Sequence, residues 1–174
     1  MVVANQTVDS NNVTTPDFGL VSDNNYAIFS NSGGTADYGF PDITVPSGST
    51  INGIEVLIEG KRSSTGARNL TAALWNTSNS NPDTFTAAQT ATLTTSDTTV
   101  TLGSPTYLWS KTWTPADFAD AIFKVRVNAT GGSGAASLDQ VQVKVHYTDI
   151  TPPTVTINQK SAAPAQTDPT GTSP

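Results

Sequence analysis

Val141-Gln142-Val143-Lys144-Val145-His146-Tyr147-Thr148, near the end of the chain, alternates apolar and polar residues without interruption. Because successive side chains of a β-strand point to opposite faces of a sheet, this stretch predicts a strand with one dry and one wet face. The stretch 123–129, Phe-Lys-Val-Arg-Val-Asn-Ala, has the same alternation. Two such strands predict two sheets that pack their dry faces together around one core.

Other β-rich runs extend from these two strands toward the start of the chain, separated by clusters of Gly, Pro, Asn and Ser. They cover residues 26–29, 38–45, 50–60, 70–75, 84–94 and 100–102. Short strands at this spacing predict an all-β fold, an antiparallel β-sandwich of jelly-roll type.

One short helix is predicted near residues 115–120. Thr114 is suited to cap it, Pro115 to its first turn, and Asp117 to the positive end of its dipole. Phe118 is then expected to close one end of the sandwich.

The chain divides into three predicted parts. Residues 1–22 are a polar segment with Val2, Val3 and Val8 as candidates for an edge strand, and residues 23–149 form the β-sandwich domain. Residues 150–174 form an extended tail whose Ser, Ala, Pro, Thr and Gly content cannot bury enough surface to fold by itself. Val155 and Ile157 in this tail could act as a donor strand that adds to a neighbouring subunit's sheet, or belong to a linker.

The composition excludes several classes of function. Charged residues make up 13% of the 174, and the formal net charge is -6 with no basic cluster, so neither nucleic acid nor anionic lipid is an expected partner. No apolar stretch approaches the length of a membrane span, so no membrane insertion is expected. The absence of cysteine excludes disulfides and thiolate zinc sites. A surface rich in hydroxyl and amide groups favours an extracellular or cell-surface location.

Several segments resemble a family of uncharacterised jelly-roll-like β-sandwich modules in bacterial exported and phage-associated multidomain proteins. The matching stretches are residues 23–27, 43–56, 108–117 and 138–141. The resemblance implies a surface setting and supplies no catalytic residue. Residues 153–159 and 168–174 resemble the opening strand of bacterial immunoglobulin-like repeats.

Aromatic residues form the first candidate site. Trp75, Trp109 and Trp113, together with Tyr107, could form a platform on which sugar rings stack, and packing in the core or at a corner is the alternative.

Asp139 forms the second candidate site, because strand parity places it on the same inward face as Val141 and Val143. A carboxylate on a dry face needs backbone donors or a cation. Oxygen ligands from Asp23, Asn24 or Asp37 would complete a structural calcium site, the one cofactor considered. The alternative is an aspartate that caps turn amides.

Glu55 and Glu59 are the best carboxylate pair for catalysis. Four strand residues separate them by roughly 13 Å, beyond the roughly 5 to 9.5 Å that glycosidases use. We therefore expect a solvated face on which they pair with Lys124 or Arg126, and His146 as a surface residue.

The sequence thus predicts a non-enzymatic structural module of a bacterial extracellular protein that builds a surface fibre or adhesin stalk. Its expected partners are other copies or neighbouring modules of the same protein. A carbohydrate-binding module with a polysaccharide partner is the first alternative, and an accessory domain of a glycoside hydrolase is the second.

Overall fold

The structure is a computed structural model that describes residues 1–30, 33–63, 66–76, 85–118 and 122–150. Its strands are β1 (Val2–Val3), β2 (Gln6–Asn11), β3 (Val13–Thr14), β4 (Ala27–Phe29), β5 (Thr35–Gly39), β6 (Thr50–Arg62), β7 (Arg68–Asn76), β8 (Gln89–Ala91), β9 (Thr98–Gly103), β10 (Phe123–Gly131) and β11 (Ala136–Thr148). Two 3₁₀ turns span Pro16–Gly19 and Pro115–Phe118. Within these ranges, no helix has the length and apolarity to cross a membrane. The tail residues Val155 and Ile157 lie outside the described residues.

The strands form two antiparallel sheets that together make a jelly roll. The first sheet has the order β3-β4-β11-β6-β9, with β1 also paired to β11, and the second has the order β2-β5-β10-β7-β8. From β4 onward the chain alternates between the sheets except where β7 and β8 follow each other in the second. This alternation gives the two interleaved four-strand orders of a jelly roll, and the predicted fold class is confirmed.

The core lies between the two sheets and follows the predicted alternation of side chains. On β10 the residues Phe123, Val125 and Val127 are buried, and on β11 so are Val141 and Val143. The largest fully buried side chains are Trp109, Tyr38, Phe29, Phe40, Phe118 and Phe123. Toward the end of β11 the apolar positions are no longer buried, because the strand extends beyond the core. Tyr147, for example, is 40% exposed.

The 3₁₀ turn Pro115–Phe118 closes one end of the sandwich, as predicted. The carboxylate of Asp117 accepts hydrogen bonds from the backbone N–H and the hydroxyl of Thr114, at 2.7 and 2.9 Å. Phe118 is fully buried, and its ring centroid lies 5.6 Å from that of Trp113 and 5.2 Å from that of Phe123. These three rings fill the end of the core.

Residues 1–22 belong to the sandwich. β1 pairs with β11, β2 pairs with β5, and β3 pairs with β4, so this segment contributes strands to both sheets. The residues that we considered for an edge strand lie in these strands, Val2 and Val3 in β1 and Val8 in β2. Edge strands are held by backbone hydrogen bonds more than by apolar side chains, which is why the polar sequence of β2 gave little sign of a strand.

The chain enters and leaves the sandwich at the same end. β1 runs antiparallel to β11, with Val2 opposite Val143 and Val3 opposite Gln142. Residues before β1 therefore approach from the side toward which β11 departs at Thr148.

Candidate functional site

The outer face of the second sheet carries a set of interacting polar and aromatic side chains. Across the sheet, Lys124 of β10 lies between Trp75 and Gly39, and Arg126 lies between Ala73 and Asp37. These positions alternate with the core-facing residues of β7, β10 and β5, so their side chains lie on the same outer face of the sheet.

Asp37 and Arg126 form a two-pronged ion pair on this face. The Nε and Nη2 atoms of Arg126 donate to the two carboxylate oxygens of Asp37 at 2.7 and 2.8 Å. The side chain of Asp37 is 7% exposed and that of Arg126 is 30% exposed. Asp37 was expected beside Asp139 as a calcium ligand, but it lies on the other sheet and both of its oxygens bind Arg126.

Trp75 forms an aromatic pair with Phe85 at the end of β7. Their ring centroids are 5.5 Å apart, with the rings tilted by 40°. The Nζ of Lys124 lies 4.4 Å from the Trp75 ring centroid, and the guanidinium carbon of Arg126 lies 3.9 Å from that of Phe85. Both contacts have the geometry of a cation over an aromatic face. Among the aromatic residues predicted for a sugar platform, Trp75 alone lies on this face.

Trp109 and Trp113 are core residues and cannot form the predicted platform. Trp109 is fully buried and its Nε1 donates to the carbonyl of Ile54 at 2.9 Å. Trp113 is 5% exposed and its Nε1 donates to the carbonyl of Leu108 at 2.8 Å. A left-handed turn at Trp109 and Ser110 directs this segment back onto the core.

Tyr107 is the exposed neighbour of these indoles. It is 37% exposed, and its ring centroid lies 5.8 Å from that of Trp109. Because Trp109 and Trp113 are buried, neither can join Tyr107 in an exposed aromatic surface on which a sugar ring could stack.

Asp139 sits at a β-bulge between β11 and β6. The register passes from Leu138 opposite Gly60 to Gln140 opposite Glu59, so Asp139 is an extra residue. Leu138 and Val141 both lie in the core although they are three residues apart, which means that the bulge breaks the alternation. The inward parity predicted for Asp139 is therefore wrong: its carboxylate approaches Glu59, which has the outward parity of β6.

Asp139 is nonetheless 1% exposed, because the loop that precedes β4 covers it. Its two carboxylate oxygens accept hydrogen bonds from the backbone N–H groups of Asp23 and Asn24, each at 3.2 Å. The side chain of Asp23 binds Asn25 instead, through the backbone N–H and the side-chain amide at 3.0 Å. The hydrogen bond from the Asn25 side chain, followed by that from its backbone, lowers the pKa of Asp23.

Three carboxylates meet at this bulge. One oxygen each from Glu59, Asp97 and Asp139 lies within 4.8 Å of the others. The Oδ2 of Asp97 accepts a hydrogen bond from the Tyr26 hydroxyl at 2.8 Å, whereas its Oδ1 is buried and has no hydrogen-bond partner among the described residues. We call Glu59, Asp97 and Asp139 the acidic group. The sequence analysis missed Asp97, because only the fold brings the residue before β9 next to the bulge.

Tyr26 links the acidic group to a cation. The Nζ of Lys61 lies 3.9 Å from the Tyr26 ring centroid. The interaction with Lys61 acts to lower the pKa of Tyr26, but burial, the hydrogen bond to Asp97 and the charge of Asp97 together raise it above the ordinary value. The Oδ1 of Asn24, a residue with a left-handed backbone, also lies 3.2 Å from the Tyr26 hydroxyl, whose single proton makes the shorter hydrogen bond to Asp97.

Glu55 pairs with His146 across the outer face of the first sheet. The carboxylate oxygen and the ring Nε2 are 2.9 Å apart, and both side chains are about one-fifth exposed. The expected pairing of Glu55 or Glu59 with Lys124 or Arg126 is wrong, because β6 and β10 belong to different sheets.

No protein-family model and no curated protein matches this chain. Among solved structures, it is similar at 13% identity to one described as "CBM4 structure and function", over 84% of this chain and 94% of that one, with a TM-score of 0.43. It is also similar to dimeric latent PorU from Porphyromonas gingivalis, at 13% identity and a TM-score of 0.29. That match covers 86% of this chain and 13% of PorU. At these values the likenesses support no argument about function.

Proposed function

We propose that this chain is a non-enzymatic module of a bacterial extracellular protein that builds a surface fibre or adhesin stalk through contacts of its sheets. The observation that carries the proposal is the shared end at which β1 begins and β11 finishes. Any polypeptide that precedes β1 or follows β11 joins the sandwich at that end. The module therefore projects to the side of the protein that carries it. The sheet faces, the sheet edges and the far end are then available for contact with neighbours. The low charge and the hydroxyl-rich composition support an extracellular setting.

A distance between two spin labels tests this geometry, and the lack of native cysteine allows specific labelling. Labels at Met1→Cys and Thr148→Cys should lie roughly 15 Å apart, because about four residues of strand separate their levels in the sheet. A control pair, Ser133→Cys with Thr148→Cys, should span about 40 Å, the length of β11. A long distance for the first pair would show an axial link with ends on opposite sides, and would reject the projecting module.

Strand donation by Val155 and Ile157 is a further part of this proposal. In it, the tail of one copy adds to a sheet edge of the next, so that copies or neighbouring modules of the same protein are the partners. An opening strand of an immunoglobulin-like repeat in the tail would support a chain of modules of this kind.

A carbohydrate-binding module is the second candidate, and the Trp75–Phe85 pair favours it. An indole with a neighbouring amine and guanidinium offers both a stacking surface and hydrogen-bond donors to a polysaccharide. Such a module would also suit an accessory domain of a glycoside hydrolase. Binding of soluble polysaccharides tests this candidate: Trp75→Ala should abolish retention, while Tyr107→Ala, an exposed aromatic residue elsewhere, should not. Equal retention by both variants, or none by the wild type, would reject it.

We also propose that the acidic group holds a structural calcium ion. The fit rests on the Oδ1 of Asp97, which has no partner in the part of the chain that the structure describes, and on one oxygen from each of three carboxylates lying within 4.8 Å of the others. Carboxylate oxygens are the ligands that calcium prefers, and a divalent cation would offset their mutual repulsion. Glu59, Asp97 and Asp139 would hold the ion, which would tie β6, β9 and β11 together.

A further inference from the structure

The edges of the two sheets differ in how open they are to another strand. β9 forms one edge of the first sheet, and its pairing with β6 runs from Thr98 to Gly103 without a register shift. It contains no charged residue, and Thr98, Thr99 and Thr101 are exposed. A long, regular and uncharged edge is the kind that other strands join.

The other edges described by the structure are protected. β2 has six residues, but its pairing with β5 is interrupted by a register shift and it carries Asp9. The edge strands β1, β3 and β8 are short, with two, two and three residues. Bulges, charges and shortness are the features by which sheet edges avoid pairing with one another.

The open backbone groups of β9 follow from the hydrogen bonds around it. Ile54 donates its backbone N–H to Tyr107, and Arg62 donates to Thr94, so the even-numbered residues of β6 direct their backbone toward β9. Their partners in β9 are Leu102, Val100 and Thr98. Because antiparallel hydrogen bonding alternates along a strand, Thr99 and Thr101 direct their N–H and C=O groups away from β6.

Gly103 supports this assignment independently. Its N–H has the same parity as those of Thr99 and Thr101, and it donates to the side-chain oxygen of Gln89 on β8 at 3.1 Å. Gln89 thus occupies one end of the edge, and the open part is centred on Val100.

We propose that this edge pairs antiparallel with the same edge of a second copy of the chain, about a twofold axis at Val100. Thr99 of one copy then faces Thr101 of the other, and the outward N–H and C=O groups of both residues are satisfied in each copy. The pairing brings no charges into opposition, because β9 has none. It also covers Val100, which packs against the core yet is only partly buried within one copy. This inference rests on the proposed assembly function and names one contact between copies; because a twofold contact closes as a dimer, a fibre needs a second contact as well.

The oligomeric state of the full chain tests this pairing. Sedimentation equilibrium at concentrations up to about 1 mM should show a reversible dimer, which is the weak range expected for a short edge contact. Thr99→Pro removes an N–H that β6 does not use, and Thr101→Lys places a charge on the edge. Each should weaken the dimer at least about tenfold. Thermal unfolding checks that both variants remain folded, and the lysine variant still tests the pairing if the proline variant does not fold.

Two controls distinguish this edge from other contacts. Thr90→Lys places the same charge on the exposed edge strand β8 and should leave the dimer unchanged. Val155→Asp combined with Ile157→Asp should also leave it unchanged, and loss of the dimer in that variant would show that the tail is the strand that pairs. A monomer at every concentration, or a dimer that Thr99→Pro and Thr101→Lys do not weaken, would overturn the proposal. The spin-label distance within one copy does not depend on association. The projecting geometry of the proposed function and the pairing of β9 can therefore be rejected independently of each other.

Discussion

Arg126 holds the nearly buried carboxylate of Asp37 through two nitrogen–oxygen contacts of 2.7 and 2.8 Å across adjacent strands of the second sheet. The guanidinium also lies over the ring of Phe85. This single side chain therefore connects β5, β10 and the segment that follows β7.

Replacing Arg126 with Met should destabilise the fold, because it leaves the Asp37 carboxylate buried without its cation. We expect a loss of about 2 kcal/mol in the free energy of unfolding, less than for a fully buried pair because the guanidinium is partly exposed. Urea unfolding measures it. The double variant Arg126→Met with Asp37→Leu should recover most of the loss, and a single variant as stable as the wild type would contradict the role of the pair.

Tyr38 should make the fold sensitive to alkaline pH. Burial, followed by the charge of Asp17, raises the pKa of its hydroxyl above the ordinary value of 10.0. A group whose pKa is higher in the folded state contributes stability that is complete below its unfolded pKa and is lost as pH rises above it. The free energy of unfolding should therefore fall above about pH 10.

Tyr38→Phe is the variant that isolates this effect. It removes the hydrogen bond to the carbonyl of Pro16 and should cost about 1 kcal/mol at neutral pH. Above about pH 10 it should lose less stability than the wild type in urea unfolding. Parallel alkaline decline in the two proteins would assign the sensitivity to other groups.

Calcium should raise the unfolding temperature of the wild-type chain if the acidic group binds it. A ligand that binds the folded state stabilises it in proportion to the logarithm of its concentration above Kd. The shift should disappear in Asp97→Asn and in Glu59→Gln, and it should persist in Asp42→Asn, an exposed acid outside the group. Calorimetric titration gives a second readout, and an equal thermal shift in all four proteins would reject the site.

Trp109→Phe should be costly, since it removes the hydrogen bond to Ile54 and part of the most voluminous fully buried side chain. We expect a loss of about 2 to 4 kcal/mol from the cavity and the unpaired carbonyl together. The exposed neighbour variant Tyr107→Phe should change stability by less than about 0.5 kcal/mol. Comparable losses in both would mean that Trp109 does not anchor the turn.

The fold was predictable from sequence because its signals are local. Strand alternation on β10 and β11 and the Thr-Pro start of the 3₁₀ turn each depend on neighbouring residues. β2 was not clearly predicted, because it is held at the sheet edge by backbone hydrogen bonds. The pattern of side chains in the sequence does not reveal such bonds.

The candidate sites were less predictable because they depend on contacts between distant strands. An exposed platform and an end of the core can both use tryptophan, so the sequence could not separate Trp75 from Trp109. The bulge at Asp139 inserts one residue and reverses the expected facing, and nothing in the local pattern marks it. Asp97 lies near Asp139 only because β9 and β11 pair with opposite sides of β6 in the same sheet.

β11 lies in the middle of the first sheet, with β6 along one side and β4, Leu20 and β1 in turn along the other. Every one of these partners is synthesised before it, the earliest by well over a hundred residues. Contacts of such long sequence separation form slowly. The sandwich consequently cannot close on the ribosome until Ala136–Thr148 has emerged, so the nascent polypeptide stays open until its last described strand has been synthesised.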